Sequence, residues 1–101
     1  MKTAFKPKGI IPAVITPLRD DGKFNEKAFR KLLNYLIDNG VHGLFVVGTT
    51  GEFYGLDPEE KRDIYKAAVD ETRGRIPVYA GTNGITTRET VMLTEIAEEC
   101  R

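Results

Sequence analysis

Gly48-Thr49-Thr50-Gly51-Glu52 is the peptide in this chain whose residue types best suit chemistry. Two small hydroxyl side chains stand between two glycines, so consecutive backbone N–H groups can turn toward one point and two O–H donors can join them. Such a nest suits a small anion, either a carboxylate or a phosphate. The same residues also read as a tight strand-to-loop turn, the glycines supplying unusual φ and the threonines satisfying local backbone groups. Spacing alone does not choose between the two. Gly81-Thr82-Asn83-Gly84 can line the same pocket, although an Asn-Gly turn needs no functional reason. Of the tyrosines able to move protons, Tyr54 is close to the anion loop, whereas Tyr65 falls on a charged helix and Tyr79 inside a strand.

Other chemistries are poorly served. One cysteine, Cys100, excludes an intramolecular disulfide, and with a single histidine, His42, no Cys/His zinc cage can form. Cys100 lies on an apolar helical stripe and reads as a small core hydrophobe. His42 stands between a helix end and a strand start, at the end opposite the threonines, and reads as a surface histidine. Fifteen basic and fifteen acidic residues give a formal net charge of zero. That balance provides no field for nucleic acid or an anionic membrane, so neither is expected as a partner. The start, Met1 to Lys8, is basic, but the apolar stretch after it is short and broken by Pro12 and Pro17. It is neither a signal peptide nor a membrane span, and a cytoplasmic location is expected.

The elements that must hold the Thr-Thr turn follow from periodicity. Gly9 to Pro17 is a β-branched apolar run closed by proline and predicts a strand, weakened in its first half by Pro12. A loop follows from Leu18 to Lys23. Phe29, Leu32, Leu33, Leu36 and Ile37 then recur at helical spacing, with Asn25 as cap and Phe24 stapled onto Phe29. Asn39-Gly40 ends that helix, and Leu44 to Val47 is apolar at every position, as in a strand buried on both faces. Asp57-Pro58-Glu59-Glu60 announces a second helix with a capping box and a first-turn proline, running to about Thr72. Arg73-Gly74-Arg75 breaks it, Ile76 to Ala80 predicts a third strand, and Thr86 with Glu89 repeats the box signature. The third helix carries Leu93, Ile96, Ala97 and Cys100 and meets Arg101 with no Gly, Asn or Pro to close it, so it is expected to be incomplete.

The order is βαβαβα in one domain over 1–101, with units roughly 33 residues apart and parallel strands joined by right-handed crossovers. Eight such units would give roughly 265 residues, the size of a closed (β/α)8 TIM barrel. A doubly wound sheet would instead carry a glycine-rich turn after the first strand, and none follows Thr16-Pro17. In a barrel, the Thr-Thr turn lies at the carboxyl ends of the strands, where sites are built.

Ala13 and Thr16-Pro17 in the opening strand, the run from Gly40 through Gly43-Leu44-Phe45-Val46-Val47 to Gly48-Thr49-Thr50-Gly51-Glu52, and Arg75-Ile76-Pro77-Val78 through Gly81-Thr82 occur in order. Together they resemble the dihydrodipicolinate synthase and N-acetylneuraminate lyase family over nearly the whole chain. The resemblance implies a TIM barrel of the class I aldolase type with only its first three βα units present. It implies a lyase or synthase in which a lysine on a barrel strand forms a Schiff base with pyruvate. The enamine then adds to a small aldehyde, or the reverse cleavage occurs, with no metal or organic cofactor. Thr50 would hold the pyruvate carboxylate, Thr49 would pass protons between tyrosines, and Gly48 and Ala13 would belong to the same pocket. A homotetramer is implied for the whole protein.

No lysine here ends a strand: Lys2, Lys6 and Lys8 lie in the leader, Lys23 in a loop, and Lys27, Lys31, Lys61 and Lys66 on helices. A Schiff-base lysine must be partly desolvated, so these residues alone are expected to be inactive. The Thr-Thr pair leans toward synthesis from pyruvate and aspartate semialdehyde, in lysine biosynthesis. The alternatives are N-acetylneuraminate lyase and 2-keto-3-deoxy sugar acid aldolase. Positions that bind lysine in feedback-inhibited members hold Phe53, Tyr54, Pro58 and Ile85 here, with only Glu89 of the expected type, so no lysine inhibition is expected. A reading of another class is a non-catalytic small-anion module or an assembly piece with bare apolar edges.

Overall fold

The computed structural model describes residues 5–101; Met1 to Ala4, and with them Lys2 of the leader, lie outside the described residues. The element order is α1 (Glu26–Asp38), β1 (Leu44–Val46), a 3-10 turn (Phe53–Gly55), α2 (Pro58–Thr72), β2 (Val78–Ala80) and α3 (Thr87–Glu99). Strands β1 and β2 are parallel, with Phe45 opposite Tyr79.

The expected first strand is corrected to an extended segment with one parallel bridge, Ala13 to Phe45. Phe45 N–H donates to the Pro12 carbonyl at 3.0 Å and Val14 N–H to the Phe45 carbonyl at 2.8 Å. One rung earlier the ladder would need an N–H at position 12, which proline lacks. At the other end Val47 has already turned to a φ of 61°. The segment nevertheless lies parallel to β1, so three extended pieces run side by side in chain order. Ala13, Phe45 and Tyr79 form one row across them.

Alternation along these pieces divides the sheet's two faces. Val14, Leu44 and Val46 are buried and join one core with Phe29 and Leu33 of α1 and Ile64, Tyr65, Ala67 and Ala68 of α2. Burying each large apolar side chain there stabilises by about 1.5–3 kcal/mol. The opposite face stays bare: Ala13 and Ile15 are exposed, and Phe45 and Tyr79 half-buried. The expectation of a second strand buried on both faces is therefore corrected, because this chain covers one face only.

The helix ends follow their local chemistry. Asn25 Oδ1 accepts from Ala28 N–H, and the Phe24 and Phe29 rings meet edge-on at 5.3 Å. Asp57 and Glu60 exchange both hydrogen bonds of a capping box, and α2 ends where Arg73 adopts a φ of 48°. Thr86 Oγ1 accepts from Glu89 N–H, but Glu89 Oε1 reaches Ile85 N–H and not Thr86, so the second box is displaced by one residue. α1 and α2 are also joined by a polar seam. Arg30 pairs with Asp70 at 2.7 Å and with Glu71 at 3.0 Å, while Asn34 donates to Glu71 and accepts from Arg75.

Candidate active site

β1 stops because Val47 takes a left-handed φ of 61°, rare for a β-branched residue. Glu52, at φ 60°, reverses the chain again at the far side of the threonine pair. Between them Gly48 to Glu52 forms a turn in which Glu52 N–H donates to the Thr49 carbonyl at 2.9 Å and Phe53 N–H to the Gly48 carbonyl at 3.2 Å. The N–H groups of Thr49, Thr50 and Gly51 find no backbone acceptor among the described residues. Thr49 and Thr50 are exposed, whereas Gly48 and Gly51 are buried. The turn follows the carboxyl end of β1, the end named by barrel logic.

Space is tight at both flanking glycines. A Cβ on Gly48 would stand 2.5 Å from the Phe45 ring, and one on Gly51 would stand 3.0 Å from both Thr16 Oγ1 and the Val14 carbonyl. These close approaches bring the opening segment and the turn together. Thr16 completes the join: its buried hydroxyl donates to the Gly51 carbonyl at 2.7 Å. Ala13 stands one row back, bridged to Phe45, on the same bare face of the sheet.

The exit of β2 packs as tightly. A Cβ at Gly81 would lie 2.2 Å from the Val47 carbonyl oxygen, and Gly81 N–H donates to the Val46 carbonyl at 2.8 Å. Tyr65 lies on the charged helix α2 as expected, yet it is only 2% exposed, and its hydroxyl donates to the Gly81 carbonyl at 2.6 Å. Burial raises its phenol to about 12. Thr16, Tyr65 and Gly81 thus hold the rim, a role that reading the sequence for chemistry missed. The available signal was that a buried tyrosine needs a partner for its hydroxyl, and a strand exit supplies carbonyls.

Tyr54 follows the turn and is 71% exposed, its ring edge-on to Phe53 at 5.7 Å. Thr82, at the matching end of β2, shares a hydrogen bond with Thr94 of α3, so it is engaged with the helix layer. His42 is exposed at the amino end of β1, away from the turn. Cys100 is half-buried and packs against the core. Among the lysines, Lys61 departs from a simple surface reading: it is 4% exposed, with its Nζ 5.6 Å from the centre of the Phe53 ring. It remains on α2, under the 3-10 turn, and ends no strand.

With this geometry in view, residues 6–100 match the Dihydrodipicolinate synthetase family. The chain is 43% identical over 91 residues to a 4-hydroxy-tetrahydrodipicolinate synthase of Dechloromonas aromatica, covering 90% of this chain and 31% of that protein. In structure it is similar to YagE, a prophage protein of the dihydrodipicolinic acid synthase family from E. coli K12 solved in complex with pyruvate. The TM-score is 0.87 at 40% identity, over 91% of this chain and 31% of that one. An N-acetylneuraminate lyase from Mycoplasma synoviae gives a TM-score of 0.85 at 32% identity, over 92% of this chain and 32% of that one. The chain spans about 30% of the length of the curated relatives it matches.

Proposed function

This chain belongs to the dihydrodipicolinate synthetase family, and from that premise we propose that the whole protein is a class I aldolase-type (β/α)8-barrel enzyme that joins pyruvate to a small aldehyde through a Schiff base. The observation that carries this reading is the exposed Thr49-Thr50 pair at the carboxyl end of β1, with three successive N–H groups, those of Thr49, Thr50 and Gly51, lacking a backbone acceptor among the described residues. A carboxylate supplies the acceptors that such a turn lacks.

In this reading Thr50 holds the pyruvate carboxylate through its hydroxyl and N–H, and Gly48 allows the turn to close beneath it. Ala13 lines the pocket floor in the row of Phe45 and Tyr79, its small side chain leaving room for a three-carbon acid. Thr49 relays a proton between tyrosines that the rest of the protein supplies. A lysine on a later strand attacks the keto carbon and expels water, and the resulting iminium serves as the electron sink for enamine formation. No metal or organic cofactor enters the proposed reaction. The second substrate is aspartate semialdehyde, supported by relatives at 42–43% identity named 4-hydroxy-tetrahydrodipicolinate synthase. Cleavage of N-acetylneuraminate or of a 2-keto-3-deoxy sugar acid is the second reading, supported by the structural likeness to the lyase at 32% identity. A cytoplasmic homotetramer is the assembly proposed with this reading; no helix among the described residues is long and apolar enough to cross a membrane.

The 101 residues by themselves hold the carboxylate turn without the nucleophile. Incubating this polypeptide with pyruvate and borohydride is expected to leave every lysine unmodified by mass spectrometry. A reduced pyruvate adduct, on buried Lys61 above all, would overturn that assignment.

A further inference from the structure

A concavity of about 430 Å3 opens at the amino ends of the strands, at the opposite end of the sheet from the threonine turn. Lys6, Lys8, Arg75 and His42 line it together with the rings of Phe5 and Tyr79, and no carboxylate does among the described residues. In a chain whose charges sum to zero, three cations facing one hollow without an acid is a local imbalance. Lys6, Lys8 and Arg75 make no ion pair among the described residues.

Two of these groups are held in place. Arg75 Nε donates to the Thr72 carbonyl at 3.0 Å, and one terminal nitrogen donates to Asn34 Oδ1 and the Glu71 carbonyl. These neutral or partial acceptors orient the guanidinium without cancelling its charge, and the other terminal nitrogen has no hydrogen-bond partner among the described residues. His42 is latched twice to Ile10: its N–H donates to the Ile10 carbonyl at 2.8 Å, and its Nδ1 accepts the Ile10 N–H at 2.9 Å. An accepting Nδ1 places the ring proton on Nε2, which is then a donor. Gly9, at φ 79°, is what lets the chain pass against the ring, since a Cβ there would stand 2.3 Å from His42 Cγ.

We infer that this hollow binds a small, multiply charged phosphate-bearing molecule. Three cations and one N–H donor exceed what a single carboxylate can satisfy, and the volume suits a small molecule. The exposed Phe5 ring, tilted against Tyr79 at 5.7 Å, offers an apolar wall to the ligand's carbon portion. The site lies on the rim opposite the pyruvate turn and does not depend on it.

The probe is inorganic pyrophosphate, titrated into the 15N-labelled chain at low ionic strength. The Ile10 amide and the His42 ring resonances should shift saturably, and the exposed double variant K6Q/K8Q should bind at least tenfold more weakly with an otherwise unchanged spectrum. Thr50→Val should bind pyrophosphate as the parent does. Resonances at Ile10 and His42 that do not move, equal affinity in K6Q/K8Q, or loss of binding in Thr50→Val would each overturn the inference.

Discussion

Thr16 donates a buried hydroxyl to Gly51 at 2.7 Å, and among the described residues that is the side-chain hydrogen bond that ties the opening segment to the threonine turn. Replacing it with valine keeps the shape and leaves the Gly51 carbonyl without that partner, a loss of roughly 1–3 kcal/mol. Thr16→Val should therefore lower the urea midpoint of the chain and broaden the Gly48–Gly51 amide resonances, whereas an unchanged midpoint would mean that the turn is self-supporting. The turn's composition and its place after a strand are plain in the sequence because glycine and threonine carry local meaning there. Its supports are not: Thr16 and Gly51 lie 35 residues apart, and Tyr65 and Gly81 lie 16 apart. No periodicity relates such partners. Lys61 illustrates a different limit: it shares the buried face of α2 with Ile64, Tyr65 and Ala68 at helical spacing, but its charge reads as surface until the Phe53 ring is found 5.6 Å from its Nζ.

Between elements, the seam joining α1 to α2 carries a carboxylate whose pairing makes it sensitive to pH. Glu71 is held below the ordinary glutamate range, first by the Asn34 amide and then by Arg30. A carboxyl whose folded-state pKa is depressed contributes its stability above the unfolded value, and loses it as the pH falls through the folded one. The midpoint difference between the parent and Glu71→Gln should accordingly be present near pH 7 and shrink as the pH falls below the ordinary glutamate range. A difference that persists unchanged in acid would assign the effect to packing. Helix starts and stops were legible at this scale because caps are local: Asn25, Asp57-Pro58 and Arg73-Gly74 all act within a few residues. The first strand was only half legible. Its hydrophobic pattern marks an extended segment, but which rungs form depends on where the N–H groups of its neighbour fall, and Pro12 and Val47 remove the two adjoining ones.

At the scale of the molecule, three parallel extended pieces in chain order carry helices on one face and leave the other bare. Ala13, Ile15, Phe45 and Tyr79 on the bare face are the residues a closed barrel would turn inward. That face is an extended apolar surface on 101 residues that match about 30% of each relative's length. The alternation of strands and helices was readable from the sequence because it is a repeated period. The bare face was not, because a run such as Leu44 to Val47 looks the same whether one face or both are covered. Phe45 and Ala13, paired across the ladder, belong to a pocket floor only when further strands stand opposite them. The account therefore rests on the whole protein using the threonine turn as its carboxylate grip.

The most direct measurement of that claim is the pyruvate dependence of borohydride trapping in the whole protein, compared with Thr50→Val. The Thr50 side chain is exposed, so the variant should fold as the parent does. Loss of one hydrogen bond to a charged group is about 1.5–3 kcal/mol, which raises the half-saturating pyruvate concentration roughly tenfold to a hundredfold. A half-saturation point that stays where it was would contradict the account.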